Sequence, residues 1–244
     1  MYYNKLDGIK KYLEQLIDEY HQLNEQLDAA VRAANQQYKE NAASDMYTAE
    51  YLEKRLKDGI DKAHADFAAQ AAALNANAKQ HIAALKRKIL PALSDTAKAA
   101  DYAVRVNNAL QFIQLEGAEI SDETASEILR EFIGDIETMK RFRSVIEHQR
   151  GEKLTDAYGR TTFPLTFGWL TKCEQLTAAF SELEETAAHL FTRKKAETET
   201  EFLRNGLKLS VPMDSYMQHM DEKNTSEQAE TVEAMLTELF PTSD

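Results

Sequence analysis

The first proline of this chain is Pro91, and the residues before it carry one continuous apolar stripe. Leu6, Ile9, Leu13, Leu16, Tyr20, Leu23, Leu27, Ala30 and Ala34 keep an unbroken spacing of three and four. In a heptad frame Leu6, Leu13, Tyr20, Leu27 and Ala34 are a positions, and Ile9, Leu16, Leu23 and Ala30 are d positions. Such spacing lays one apolar face along a long helix and makes helix-to-helix packing the dominant constraint on the fold. The e column is apolar as well, through Ile17, Val31 and Tyr38. A two-stranded coiled coil needs only a and d, so the wider face favours an antiparallel hairpin or a bundle. A stripe establishes that the chain packs against something, not what the packing is for.

Helix one is expected from Asn4 to Glu40. Helix two is expected to run through Leu52, Leu56, Ile60, Ala63, Phe67, Leu74, Ile82, Leu85 and Ile89 until Pro91 stops it. Between them, Ser44 or Asp45 is the expected N-cap, and residues 41–45 decide whether the helices fold back or run on as one rod. Alanine crowds residues 63–84, which suits close helix approach and is also simply helix-forming.

Ser94 and Asp95 are expected to open a third helix with Ala99, Tyr102, Val106, Leu110 and Ile113 on one face, closed by Gly117. Ser121 caps a fourth, whose stripe through Ala125, Ile128, Leu129, Phe132, Ile136, Met139, Phe142 and Ile146 predicts one unbroken helix to Gly151. Residues 151–168 read as an irregular loop, with a short extended piece at Thr161 to Phe163. A fifth helix is expected through Trp169, Cys173, Leu176, Phe180, Leu183, Ala187, Leu190 and Phe202, closed by Gly206. LKLSVP reads as extended. Thr225, with Gln228 three residues on, resembles a capping box for a final short amphipathic helix.

The expected class is therefore all-α. Residues 1–90 form a long helical hairpin or coiled coil, residues 94–205 a helical bundle region with antiparallel neighbours, and residues 206–244 a flexible acidic tail with a short helix. Composition agrees: 29% of the residues are charged and 43% hydrophobic, with only 8 Gly and 4 Pro. The net charge of −12 is concentrated at the end, where Asp214 to Asp244 hold eight acids against Lys223 alone. An anionic segment of this kind repels nucleic acid and suits a basic protein surface, although a solvating tail reads the same way. The N-terminus MYYNKLDGIKKYLEQ has no apolar signal-peptide core, and no uncharged run approaches membrane-spanning length. A soluble cytoplasmic protein without membrane contact is expected.

Motifs for chemistry are scarce. The glycines are isolated, so neither GxxxxGK[ST] nor GxGxxG is present, and GxSxG is absent too. Asp18-x-x-His21 and Asp61-x-x-His64 have a spacing used in bundle metal sites, but Asp18 and His21 fall on the outer face. Glu185 and His189 share a face without a second ligand helix. His81 falls on the seam as a packing histidine, and Cys173 on the apolar stripe as a buried structural thiol. The basic clusters at Lys54–Lys57, Lys86–Lys88, Arg141/Arg143 and Arg193–Lys195 are short and scattered, so nucleic-acid binding is not expected. The expectation is no enzymatic activity, no cofactor and no metal.

Three groups of residues read as interaction surfaces. Self-association is expected through Leu6, Ile9, Leu13, Leu16, Tyr20, Leu23 and Leu27. Partner binding is expected through Tyr158, Arg160, Phe163 and Trp169, with Phe167 nearby, because aromatic and Arg side chains anchor interfaces, although packing across helix ends reads the same way. A second partner-binding face is Val232, Met235, Leu236, Leu239 and Phe240 on the final helix, which has the form of a tethered helix that docks in a groove or on its own body.

In general character the chain resembles bacteriophage capsid-scaffolding and other virion-assembly proteins, which are acidic, helical and oligomeric and lack catalytic motifs. The resemblance implies a non-enzymatic structural or assembly protein that self-associates and binds at least one protein partner, with the host cytoplasm or the virion as its place. The alternative is a regulatory adaptor or inhibitor whose acidic C-terminal helix occupies a basic surface.

Overall fold

The computed structural model describes residues 8–44, 46–92, 99–191, 199–204 and 207–240. Helices carry the fold, as the all-α expectation has it. In chain order they are α1 (Ile9–Ala42), α2 (Ala49–Ala92), α3 (Tyr102–Glu116), α4 (Asp122–Leu129), α5 (Ile136–Arg150), α6 (Pro164–Ala187) and α7 (Met213–Leu239). Short 3-10 turns follow α3 and α4. Two strands, β1 (Glu199–Arg204) and β2 (Leu207–Pro212), pair antiparallel with Glu199 opposite Pro212 and Arg204 opposite Leu207. No helix among the described residues is long and apolar enough to cross a membrane.

Two compact units divide the chain. The first takes Met1–Ile82 with Glu182–Glu230, and the second takes Ala83–Ser181 with Thr231–Asp244. In the first, the a and d side chains Ile9, Leu13, Leu16, Tyr20 and Leu27 of α1 are buried, while Ile17 and Val31 are half-buried. Tyr12 stacks on His81 with ring centroids 3.9 Å apart, Tyr20 meets Phe67 at 5.7 Å, and a Cβ built on Gly59 would lie 3.8 Å from that of Ala34. The partners fall along α2 as the positions rise along α1. Ala43 and Ser44 turn between the helices, and α2 is capped by Thr48, whose hydroxyl accepts from the Tyr51 amide at 3.3 Å. Ser44 is therefore not that cap: its own hydroxyl donates to the Asn41 carbonyl and finishes α1. Asp45, Ser94, Asp95, Leu6 and Gly206 lie outside the described residues.

The expected fifth helix stops early, at Ala187. Leu190 and Phe191 turn into the core, where Phe191 stacks on Tyr20 at 5.1 Å. The Phe191 amide donates to the Asn75 side-chain oxygen at 2.8 Å, and Gln218 donates to the Leu190 carbonyl at 2.7 Å. Tertiary partners thus take backbone groups that a continuing helix would have used itself. Phe202, expected in that helix, is in β1.

The second unit has its core in Ile113, Ile120, Ala125, Leu129, Phe132, Met139, Phe142, Ile146, Leu154, Phe167 and Leu170. Ser121 caps α4, accepting from the Thr124 amide, and Gly117 closes α3 at φ 67. The stripe expected to form one helix from Ser121 to Gly151 is broken between α4 and α5. Gly134 adopts φ 109, a conformation L side chains rarely take. Asp135 then caps α5, accepting from the Thr138 amide at 3.2 Å and the Thr138 hydroxyl at 2.8 Å. The Tyr102 hydroxyl donates to the same carboxylate at 2.7 Å, so the break is tied to α3.

Candidate interaction surface

Residues 154–163 form a closed loop rather than an irregular one. Thr155 and Thr161 make an antiparallel bridge, and the Thr162 amide donates to the Leu154 carbonyl at 2.7 Å. Inside that bridge Asp156 organises the turn. Its carboxylate accepts from the Tyr158 amide at 2.8 Å, the Arg160 amide at 2.9 Å and the Arg160 Nε at 2.8 Å. Gly159 supplies the positive φ, 72, that the reversal needs. The Arg160 amide foremost, with the Arg160 guanidinium and the Tyr158 amide, holds the Asp156 carboxyl below its ordinary range.

The base of the loop is anchored on α5. Glu147 accepts from the Leu154 amide at 3.1 Å, and Arg150 lies 5.4 Å from the Phe163 ring centroid while donating to the Ala118 and Ile120 carbonyls. Asp122 of α4 reaches the start of α6, where its carboxylate accepts from the Leu165 amide at 2.8 Å and the Thr166 amide at 3.0 Å. That carboxylate satisfies orphan donors at a helix N-terminus, where negative charge is favoured.

The loop therefore presents Tyr158, 81% exposed, with the Arg160 guanidinium 5.2 Å over its ring. Of the other residues expected to bind a partner, Phe163 is buried beneath the loop and Trp169 is half-buried against the second unit's core. Both pack across the start of α6 and are not presented with Tyr158.

α7 is neither short nor capped at Thr225. It spans 27 residues, and Thr225 is buried mid-helix with its hydroxyl donating to the Asp221 carbonyl at 2.7 Å. Capping-box spacing also arises inside a helix, where Thr bonds back one turn. Val232 and Leu236 are buried, and Met235, Leu239 and Phe240 half-buried. Several of its acids have partners within the chain: Glu222 faces the His21 imidazole at 3.3 Å, Glu230 pairs with Lys10, and Glu238 pairs with Lys172.

Ile9, Leu13, Leu16, Tyr20 and Leu27 are covered within the chain, and Leu23 is half-buried. Cys173 is 1% exposed, and burial pushes its thiol up to about 12, which leaves no working thiolate near neutral pH. Asp18, Asp61 and His64 are exposed. Among the described residues no three His, Cys, Asp or Glu side chains gather as a metal-binding group.

A feature the periodicity did not flag is the outer face of α3, where Val104, Phe112 and Leu115 are exposed. A groove beside it is lined by Arg105, Asn108, Ala109, Phe112, Glu127, Ile128 and Glu131. The apolar count of α3 was readable, but its apolar residues lie on both sides of the helix. No protein-family model, curated protein or solved structure matches the chain.

Proposed function

We propose that the chain is a non-enzymatic structural or assembly protein that associates with itself and binds a protein partner, in keeping with its resemblance to virion-assembly proteins. The observation that carries the partner-binding half is the Tyr158–Arg160 pair on a loop ordered by Asp156. An exposed aromatic and an Arg held in one geometry make an interface anchor whose ordering cost is met before binding. The helical-hairpin reading of residues 1–90 draws support from the opposed pairing of Tyr12 with His81 and Ala34 with Gly59.

The adaptor or inhibitor reading, with α7 on a basic partner, has less support. The apolar positions Val232 and Leu236 are already covered, Glu230 and Glu238 already meet lysines, and Glu222 faces His21.

Affinity capture from the native host, with the wild type beside Tyr158→Ala/Arg160→Ala, tests the reading. Proteins held by the wild type should fall at least about tenfold with the double variant, as for loss of a hot spot. Identical capture by both chains would remove the loop from the proposal. Loss of every partner on deletion of residues 213–244, in a chain whose helical content is otherwise unchanged, would favour the α7 reading instead.

A further inference from the structure

Ile9, Leu13, Leu16, Tyr20 and Leu27 of the α1 stripe are buried within the chain, so the self-association half of the proposal is better served by another surface. Val104, Phe112 and Leu115 of α3 are 60%, 58% and 81% exposed, while Ala109 and Ile113 on the other side are buried. Val104, Asn108, Gln111 and Leu115 are all exposed and spaced by four, three and four. On a helix that spacing draws a single narrow stripe.

The stripe reads the same from both ends. Its spacing is palindromic, and so is its chemistry: apolar, amide, amide, apolar. A two-fold contact between identical chains must be self-complementary, with residue i meeting j and j meeting i. Two α3 helices laid antiparallel, with the axis between Asn108 and Gln111, satisfy that condition. Val104 of each copy then faces Leu115 of the other. Each Asn108 amide faces a Gln111 amide, and an amide both donates and accepts.

Charge allows the same pairing. α3 carries charge only at Arg105 and Glu116, and Arg105 already meets Asp101 and Glu131 of its own chain. Between those two positions the stripe itself carries no charge, and of the two acids that line the groove beside it Glu131 meets Arg105 while Glu127 lies on α4, off the stripe. Phe112, beside the stripe, closes onto the groove at Ala109 and Ile128.

We propose that a second copy of this chain covers this face through an antiparallel α3–α3 contact. It rests on the self-association half of the function proposed above. One face of a 15-residue helix is small against a standard interface of roughly 1,600 Å², so the contact is weak and concentration-dependent.

Cysteine pairing tests it, with the buried Cys173 as a silent background. An equimolar mixture of Val104→Cys and Leu115→Cys chains should give a mixed disulfide at least about tenfold above the disulfide either variant forms alone, because only facing positions come within bonding distance. Equal yields from the mixture and from the single variants overturn the proposal. Sedimentation up to about 300 micromolar is the second measurement, with Leu115→Glu expected to weaken association at least about tenfold while circular dichroism is unchanged. A Leu115→Glu chain that associates like the wild type places self-association elsewhere: the α3 contact fails and the assembly reading stands. A wild type that stays monomeric throughout that range sinks both. If the wild type is monomeric and Leu115→Glu instead releases a different captured protein, the face belongs to that partner and the α3 contact is overturned.

Discussion

Asp135 shows how one carboxylate joins local and tertiary structure. It caps α5 through Thr138 and receives the Tyr102 hydroxyl while only 4% exposed. Asp135→Ala removes the cap and leaves a hydroxyl without its partner, so urea unfolding should show a loss of about 2–3 kcal/mol. A loss below about 0.5 kcal/mol, the range of ordinary surface changes, would deny that role. Asp156 makes a pH prediction. Its carboxyl is held down in the folded chain, so the loop ordering is complete above the ordinary carboxylate value and is lost as pH falls through the lower folded value. The Tyr158 and Arg160 amide resonances should titrate together below the unperturbed value of about 3.9. A midpoint at or above that value would contradict the hydrogen-bonded turn. At Cys173, a thiol pushed up to about 12 carries on the order of a thousandth of the thiolate of a free cysteine. Alkylation at pH 8 should be slow in the native chain and fast in urea. The stripe made the burial of Cys173 legible, but Asp156 gave no such signal, because its partners lie within a turn that periodicity does not describe.

Elements were legible where one rule acted alone. The stripe of α1 and the Ser121 cap follow from helical spacing and capping chemistry, and both stand in the structure. The break between α4 and α5 was obscured because the apolar period runs through it, although Gly134 and Asp135 are a stop and a start signal side by side. Gly134→Ala should therefore destabilise the chain, by about 1–2 kcal/mol, rather than improve a helix. A gain in thermal stability would mean that the positive φ is not required. The end of α6 had no local signal, since Asn75 and Gln218, which hold Phe191 and Leu190 in the turn after it, are distant in sequence. The start of α6 depends on Asp122 in the same way, and Asp122→Ala should cost about 1–2 kcal/mol in the same assay.

At the scale of the molecule, α7 is the largest departure from expectation. Its acids and its separation from the other apolar stripes suggested a tail, yet Ala229, Val232 and Leu236 are buried. Val232→Asp would place an unpaired carboxylate in a covered position, and a loss of about 3 kcal/mol or more is expected from denaturation. A solvating tail would show almost none, which makes this variant the test of that role. By itself the sequence determined the helical class, the stripe that α1 buries, the apolar faces of α3 to α6 and the inert setting of Cys173. Each depends on spacing along one segment, and spacing is local. Only the tertiary structure decided which faces were covered and which were left open. Residues 182–230 join the unit of residues 1–82, α7 is packed, and the outer face of α3 and the Tyr158 loop remain exposed. An apolar stripe records that a face prefers cover but carries no address, and the address is set by whichever distant segment fits it.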